Sequence, residues 1–463
     1  MKNVLELEEF NIIHEYVDEE NKTRLFEVDV AQEPFLCTKC GSTYDLDGTL
    51  DGKKFKKHDT RIRTVRDLES RGYKIIIKIN QRRYNCPECH ERFTEFLECL
   101  APNDKVTRRL FFHVGKEALK ENFLKVANKH GISVDTVKRA FMLEVAELDS
   151  KRTLIAPRVL GIDEIYIKES EVKRKQPYLV LTDIENKRVI EFVKGTTKDI
   201  VVNRIKAMKG YENIEVVTMD MATTYRYAVE ECCPKAFSVV DHFHVMQKFG
   251  MALNTIRANI QSKLPEGDKK ELFNIKGLIT LNREDLNDID KEKLDSVLSK
   301  YPKLEISYQA KELLREVYKC ETKYDANQKY FEWEQFVSEH KDIKEVKGIQ
   351  KMINKLRKEI FAYFDGRWTN AYTECANSLI RRIIRDGNGY SFDVLRAKIL
   401  YGTPASKQKK VKIKDMNFNA LYNIHSSDFT LSNNDIYTPV ERTVTQFYTD
   451  INELIAIMDR GEF

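Results

Sequence analysis

The sequence has no run of eighteen apolar residues, so no membrane-spanning helix is expected. Its first residues, MKNVLELEEF, lack the basic stretch and apolar core of a secretory signal. The cysteines lack the pattern of a secreted disulfide framework, being nine in number and unevenly placed. Together these absences lead us to expect a soluble, cytoplasmic protein with no membrane partner. A strong net charge is missing too. Lys and Arg number 78 against 73 Asp and Glu, a formal +5, which is only a weak sign of a polyanionic partner.

What is present is enough chain for two to four domains: 463 residues, 42% of them hydrophobic, which supports packed cores and excludes global disorder. The charge is concentrated. From Asp51 to Arg83 there are twelve Lys or Arg against four acids, a face suited to phosphates, with Arg82 and Arg83 at its end. Two Cys-x-x-Cys knuckles flank it, Cys37/Cys40 in CTKCGS and Cys86/Cys89 in NCPECHERF. Four thiolates of this kind close a tetrahedral structural zinc site. The bland alternative is two unrelated pairs of buried cysteines. His90 is a stand-in ligand or a solvated neighbour, and the long insert between the knuckles is expected to hold strands in RIRTVRDL and YKIIIKINQRRYNC.

Residues 104 to 150 read as helical. In FLKVANKHGISVDTVKRAFM one helix ends at Gly131 and Ser133 caps the next. This is a helix-turn-helix pattern whose second helix, Val134 to Leu143, would turn Asp135, Thr136, Lys138 and Arg139 towards DNA; an ordinary helical hairpin has the same signature. After Ala156-Pro157 the pattern becomes α/β: strands at 159–167, 178–183 and 189–193, a helix at 197–208, a strand at 214–219, a helix at 225–232 and a strand at 237–240. Three strands joined by short turns, followed by alternating helix and strand, is the order of a ribonuclease H-like core with the first strand central. From about Phe243 to Asp365 the chain reads as an all-helical insertion, since a loop of that length does not fit inside a compact domain. A lysine cluster, KQKKVKIK, then serves as a solvated linker or a DNA-backbone contact, and a C-terminal amphipathic helix follows in VTQFYTDINELIAIM.

Three acids stand out. Asp163 sits in the middle of the apolar strand VLGIDEIYI, Asp220 ends the strand reaching Met219, and Glu374 lies in the helical segment TNAYTECANSLIRRI. A buried strand avoids ionised groups unless a cation compensates. Two Mg²⁺ or Mn²⁺ ions about 3.5 to 4 Å apart, held by carboxylates from separate elements, would do so. Glu164 points to the opposite strand face and suits a structural or substrate contact.

The combination of GIDEIYI, TMDMATTYRYA, VVDHFHVMQ and TECANSLIRRIIRDGNGY behind a double knuckle and helix-turn-helix resembles the DDE transposases of bacterial insertion sequences, in particular the IS-L-three family. The resemblance implies that Asp163, Asp220 and Glu374 are the catalytic acids and metal ligands. It also implies that metal-activated water cuts at element ends before the freed 3′-hydroxyl joins target DNA. Asp241 and His244 resemble an Asp-x-x-His motif that braces such cores or contacts DNA, and Arg381, Arg382 and Arg385 would hold phosphate backbone beside the metals. One departure is clear: the usual Gly-x-x-Glu-x-x-Asn is here Asn370-Ala371-Tyr372-Thr373-Glu374, with Asn377 retained.

The expected organisation is therefore a zinc-binding DNA-binding domain (1–100), a helix-turn-helix (101–155), the first part of the catalytic core (156–242), the helical insertion (243–365), the last core helices (366–402), and a basic linker with a C-terminal helix (403–463). Double-stranded DNA, both terminal inverted repeats and target, is the expected partner, with a homodimer or higher oligomer pairing two ends. The alternatives are a catalytically inactive DNA-binding regulator descended from such an enzyme, and a ribonuclease H-like nuclease.

Overall fold

The computed structural model describes residues 5–43, 49–50, 53–101, 105–168, 174–387 and 389–402. The lysine cluster and the C-terminal helix expected from the sequence lie outside the described residues. The described residues divide into two compact units, one of residues 5–152 with 386–402 and the other of residues 153–385.

The first unit begins with β1 (Phe10–Asp18), β2 (Thr23–Val30), the short strands β3 (Thr49–Leu50) and β4 (Lys53–Lys54), then β5 (Lys56–Ser70), β6 (Tyr73–Asn85) and β7 (Arg92–Thr94). The principal sheet runs β1-β2-β6-β5, with β7 paired to β6. Alternation explains its one-sided core. Ile75, Ile77 and Ile79 of β6 are buried with Val65 of β5 and Phe26 and Val28 of β2, while the residues between them, such as Lys74, Lys78 and Arg63, are less buried. The first two strands form a β-hairpin, and the insert between the knuckles carries the two longest strands.

Helices α1 (Arg108–Lys120), α2 (Phe123–His130) and α3 (Val134–Lys151) follow. Asn122 caps α2, whose C-terminus is closed by Gly131 at φ +63°. The Ser133 side chain accepts the Thr136 N–H at 3.1 Å and starts α3. These boundaries agree with the sequence; α3 runs past Leu143 to Lys151. Leu110, Val114, Val126, Val137 and Phe141 pack together, and fully burying each such side chain stabilises by about 1.5–3 kcal/mol.

The second unit is built on β8 (Val159–Ile167), β9 (Gln176–Asp183), β10 (Arg188–Lys194), α4 (Lys198–Lys206), β11 (Val216–Met219), α5 (Thr223–Cys232) and β12 (Phe237–Val240). Its sheet has the order β10-β9-β8-β11-β12. β9 is antiparallel to both β8 and β10, and β8-β11-β12 are parallel. β8 is central and buried along its length except at Glu164 and Tyr166. Helices α6 (His242–Gln261), α7 (Glu266–Asn274), α8 (Asp288–Leu298), α9 (Pro302–Lys319), α10 (Lys323–Glu339), α11 (Lys344–Lys355), α12 (Arg357–Phe361) and α13 (Tyr363–Gly366) come next. They bury a core around Phe249, Leu253, Leu314, Tyr330 and Trp333, so the long charged segment is helical, and its end packs on the sheet where Ala362 meets Val159, Val216 and Val239.

Helix α14 (Ala371–Gly387) returns to the sheet, and α15 (Phe392–Tyr401) then leaves it. The sequence grouped α15 with the α/β core. It packs instead in the first unit, where Ala397 joins the α1–α3 core. The buried Lys398 amine donates to the Ala118 and Glu121 carbonyls at the end of α1. Among the described residues no helix is long and apolar enough to cross a membrane.

Candidate active site

Strand register brings the two aspartates together. Met219 of β11 pairs with Ile162 of β8 in parallel, so Asp220 and Asp163 are the next residues on adjacent strands, roughly 5 Å apart along the hydrogen-bonding direction. Asp163 is 6% exposed. Its Oδ1 accepts the Glu164 N–H at 2.8 Å and its Oδ2 accepts the Asn377 amide of α14 at 2.8 Å. Asp220 accepts the Ala222 N–H at 2.8 Å, a turn contact that leads the chain into α5. Glu164 lies on the other face, where its carboxylate accepts the Tyr225 hydroxyl at 2.7 Å.

Glu374 is held beside these acids by a buried polar network. Asn370, fully buried, accepts Thr218 Oγ1 at 3.0 Å and Thr373 Oγ1 at 2.7 Å and donates to the Ile162 carbonyl at 3.2 Å. Thr373 also meets Thr182 Oγ1 at 2.7 Å. The start of α14 is thereby tied to β8, β9 and β11. Asp241 completes the tie: one oxygen accepts the Asn370 N–H and the other caps α6 through Phe243 N–H. Asp241 therefore braces the core. Thr182 and Thr218 were not singled out in the sequence, and Asn370 and Thr373 stood there only within a departing motif, because a Thr or Asn carries no sign of its partner until strands and helix are assembled.

Electrostatics mark the same place. Burial, opposed by the Glu164 N–H and His244 and reinforced by Asp220 and Glu164, pushes the Asp163 carboxyl up to about 6. Burial, with the Asp241 and Asp163 charges, pushes Glu374 up to about 8. Asp220 is raised as well, first by burial. Glu374 Oε1 is buried without a hydrogen-bond partner, as is His244 Nε2, and the two atoms face each other at 3.6 Å. The three acids do not form a set of ligand atoms all within 4.8 Å of one another.

Close approach of α14 to β8 depends on Gly161. A Cβ there would lie 2.3 Å from Thr182 Oγ1 and 2.5 Å from Thr373 Oγ1. Gly161→Ala is therefore expected to lower stability by about 1–3 kcal/mol through overpacking and to displace Glu374. Unchanged melting would show that α14 is not seated this closely.

The four knuckle cysteines converge in the first unit. Their sulfurs all lie within 4.8 Å of one another, with Cys37 to Cys89 at 3.9 Å and Cys40 to Cys86 at 3.8 Å. A tetrahedral zinc at a Zn–S distance of about 2.3 Å requires sulfurs roughly 3.8 Å apart, so the set fits that ion. Gly41 (φ +78°) and His90 (φ +60°) hold equivalent left-handed positions after each knuckle, and their N–H groups donate to the Cys37 and Cys86 carbonyls at 3.0 Å. His90 thus occupies a turn position and is not one of the clustered ligands.

Residues 160–399, more than half of the chain, match the ISL3 transposase family. The chain belongs to this family. Residues 51–89 match the zinc finger of the IS204/IS1001/IS1096/IS1165 transposases; that stretch contains the second knuckle, and the fold brings Cys37 and Cys40 to it. A transposase for insertion sequence element IS1001 from Bordetella parapertussis is 24% identical over 269 residues, 57% of this chain and 63% of that relative's length.

For this ISL3 family member the basic residues singled out in the sequence divide into two groups. Arg381, Arg382 and Arg385 are exposed on α14, and Glu374, Asn377, Arg381 and Arg385 follow one another at helical spacing along one stripe. Lys138 and Arg139 are exposed on α3, whereas Thr136 is buried against Ser133. Arg82 is engaged by Glu95, with a second contact to Glu33, and Arg83 by Asp59. Those two arginines hold the sheet together. Further basic residues lie on the neighbouring strand: Arg61, Arg63 and Arg66 of β5 line, with Arg139 and Lys105, a cleft of 1120 Å³.

Proposed function

We propose that this protein is a DNA transposase that binds the terminal inverted repeats of an insertion sequence and cuts and joins DNA at Asp163, Asp220 and Glu374. The observation that carries the reading is the juxtaposition at β8: two aspartates on adjacent parallel strands, with a glutamate whose buried oxygen has no partner on the helix seated over them. The sheet, a three-strand antiparallel meander extended by two parallel strands, is the arrangement expected of a ribonuclease H-like core.

The donor set is all carboxylate oxygen and suits hard divalent cations, Mg²⁺ or Mn²⁺. Bound there, such ions supply charge to the entering and leaving oxygens of a phosphodiester. Asn377 orients Asp163 by donating to Oδ2, leaving its carboxylate in one rotamer. His244 lies against Glu374, with its Nε2 3.6 Å from Oε1. The exposed arginines of α14 hold backbone phosphate along the stripe that begins at Glu374. In the first unit, α2 and α3 form the helix-turn-helix, Lys138 and Arg139 face DNA, and the β5 cleft extends the cationic surface across several phosphates. A dimer or larger assembly in the bacterial cytoplasm pairs two ends.

The test is an assay of purified full-length protein with element-end DNA and Mg²⁺ or Mn²⁺. Nicking at the ends followed by strand joining is expected. Specific binding without cleavage would identify a regulator instead, and cleavage without joining or end preference a nuclease.

A pH dependence follows from the raised carboxyls. Between the usual carboxylate range and about 8 the folded, metal-free protein keeps protons that the unfolded chain has lost. Its stability therefore falls as pH rises through that window. Mn²⁺ should raise the melting temperature most at pH 8, where the acids are ionised. A Mn²⁺ shift that is the same at pH 5 and pH 8, or that survives in Glu374→Gln, would exclude this site.

A further inference from the structure

We propose that His113, Glu117 and His130 form a second metal site, for a borderline divalent cation of the zinc class, that fastens α2 to α1. Helix α1 presents His113 and Glu117 one turn apart, and the tight connection between the helices brings His130, the last residue of α2, to the same point. Glu117 Oε2 is 3.7 Å from His113 Nε2 and 2.6 Å from His130 Nε2. All three ligand atoms lie within 4.8 Å of one another, and the two rings stand edge to face with centroids 5.6 Å apart.

A tetrahedral ion about 2.0–2.1 Å from each donor requires donors roughly 3.3 Å apart. The two observed separations bracket that value. Lys129 contacts the other carboxylate oxygen, Oε1, which leaves Oε2 aimed at both imidazoles. The side chain of His130 is 4% exposed and that of His113 is 49% exposed, so the cluster has one sealed side and one open to water, as a site with three protein ligands and a solvent position requires. Two imidazoles and a carboxylate select zinc-like ions over Mg²⁺. On binding, the cation replaces the proton between His130 Nε2 and Glu117 Oε2, which passes to solvent. The ion would fix the pitch of α2, and hence of the turn into α3, on the α1 scaffold. Without a cation the same contacts amount to a hydrogen-bonded tie between helices.

Cobalt titration of the metal-free full-length protein separates the two metal sites. The cysteine cluster gives intense thiolate charge-transfer absorption, and the His–Glu–His site gives only weaker visible bands. Beyond the cobalt that the acid site takes up, counted as the equivalents lost in Asp163→Asn/Asp220→Asn protein, two equivalents are expected, the first with thiolate charge transfer and the second without it. His113→Ala, at a half-exposed position that leaves the helices' packing in place, should remove the second equivalent and keep the first; Glu117→Gln should do the same. A wild-type protein that takes up only one equivalent beyond those of the acid site, or variants that retain both, would overturn the proposal and leave the cluster as a hydrogen-bonded tie.

Discussion

Asp163→Asn and Asp220→Asn proteins should lose metal-dependent cleavage by on the order of a thousandfold or more while still binding element ends, because the ions lose a ligand at the point where charge develops. Stability should move the other way. In the metal-free protein Asp163 is buried, and its carboxyl is raised by that burial and by its acidic neighbours. The neutral amide can still accept from Asn377 through its oxygen and no longer repels Asp220 or Glu374. Melting without Mg²⁺ should therefore be unchanged or higher, and the stabilisation added by Mn²⁺ should shrink. If the variants unfold, the acids are structural. If they cleave normally, the active site lies elsewhere.

The second large effect is expected at the cysteine cluster. Structural zinc contributes roughly 10–16 kcal/mol of apparent binding free energy in small zinc modules, and here the four sulfurs converge from two turns more than forty residues apart in sequence. Around them is a small aromatic core of Phe55, Tyr84 and Phe93, too few residues to hold the knuckles together unaided. Cys86→Ser should release one equivalent of zinc, melt the end of the first sheet and weaken specific DNA binding, while residues 153–385 stay folded. Elemental analysis and a DNA-binding titration test both parts. A variant with wild-type zinc content would show that the cluster does not hold that ion.

Most of the local structure was legible in the chain because it follows from short-range rules. The apolar run at 159–167 specified a buried strand with the bounds observed, Gly131 and Ser133 specified the break between α2 and α3, and the length of the stretch after Phe243 excluded a loop in favour of helices. The alternation that turned Asp163 and Glu164 to opposite faces could be read from strand geometry alone. The Cys-x-x-Cys spacing likewise predicted convergent thiolates, and the family resemblance was carried by motifs whose residues can be quoted in order.

What depended on assembly was which polar groups meet. Arg82 and Arg83 looked like DNA contacts because a basic run is visible in sequence, whereas the Glu95, Glu33 and Asp59 that engage them come from other strands and turns. Thr136 looked like a reading residue but serves the cap of α3. Asn370 stood in the sequence only as a departure from a motif; in the fold it is the fully buried centre that ties α14 to three strands. α15 changed units because its apolar face, with Lys398, fits the end of α1. Periodicity, caps and metal knuckles are set by neighbours along the chain, so the sequence determines them by itself. Hydrogen-bond partners, the close contact at Gly161 and the raised carboxyls of Asp163 and Glu374 arise between elements up to 280 residues apart, and only the tertiary structure, by excluding water and bringing those groups together, decides them.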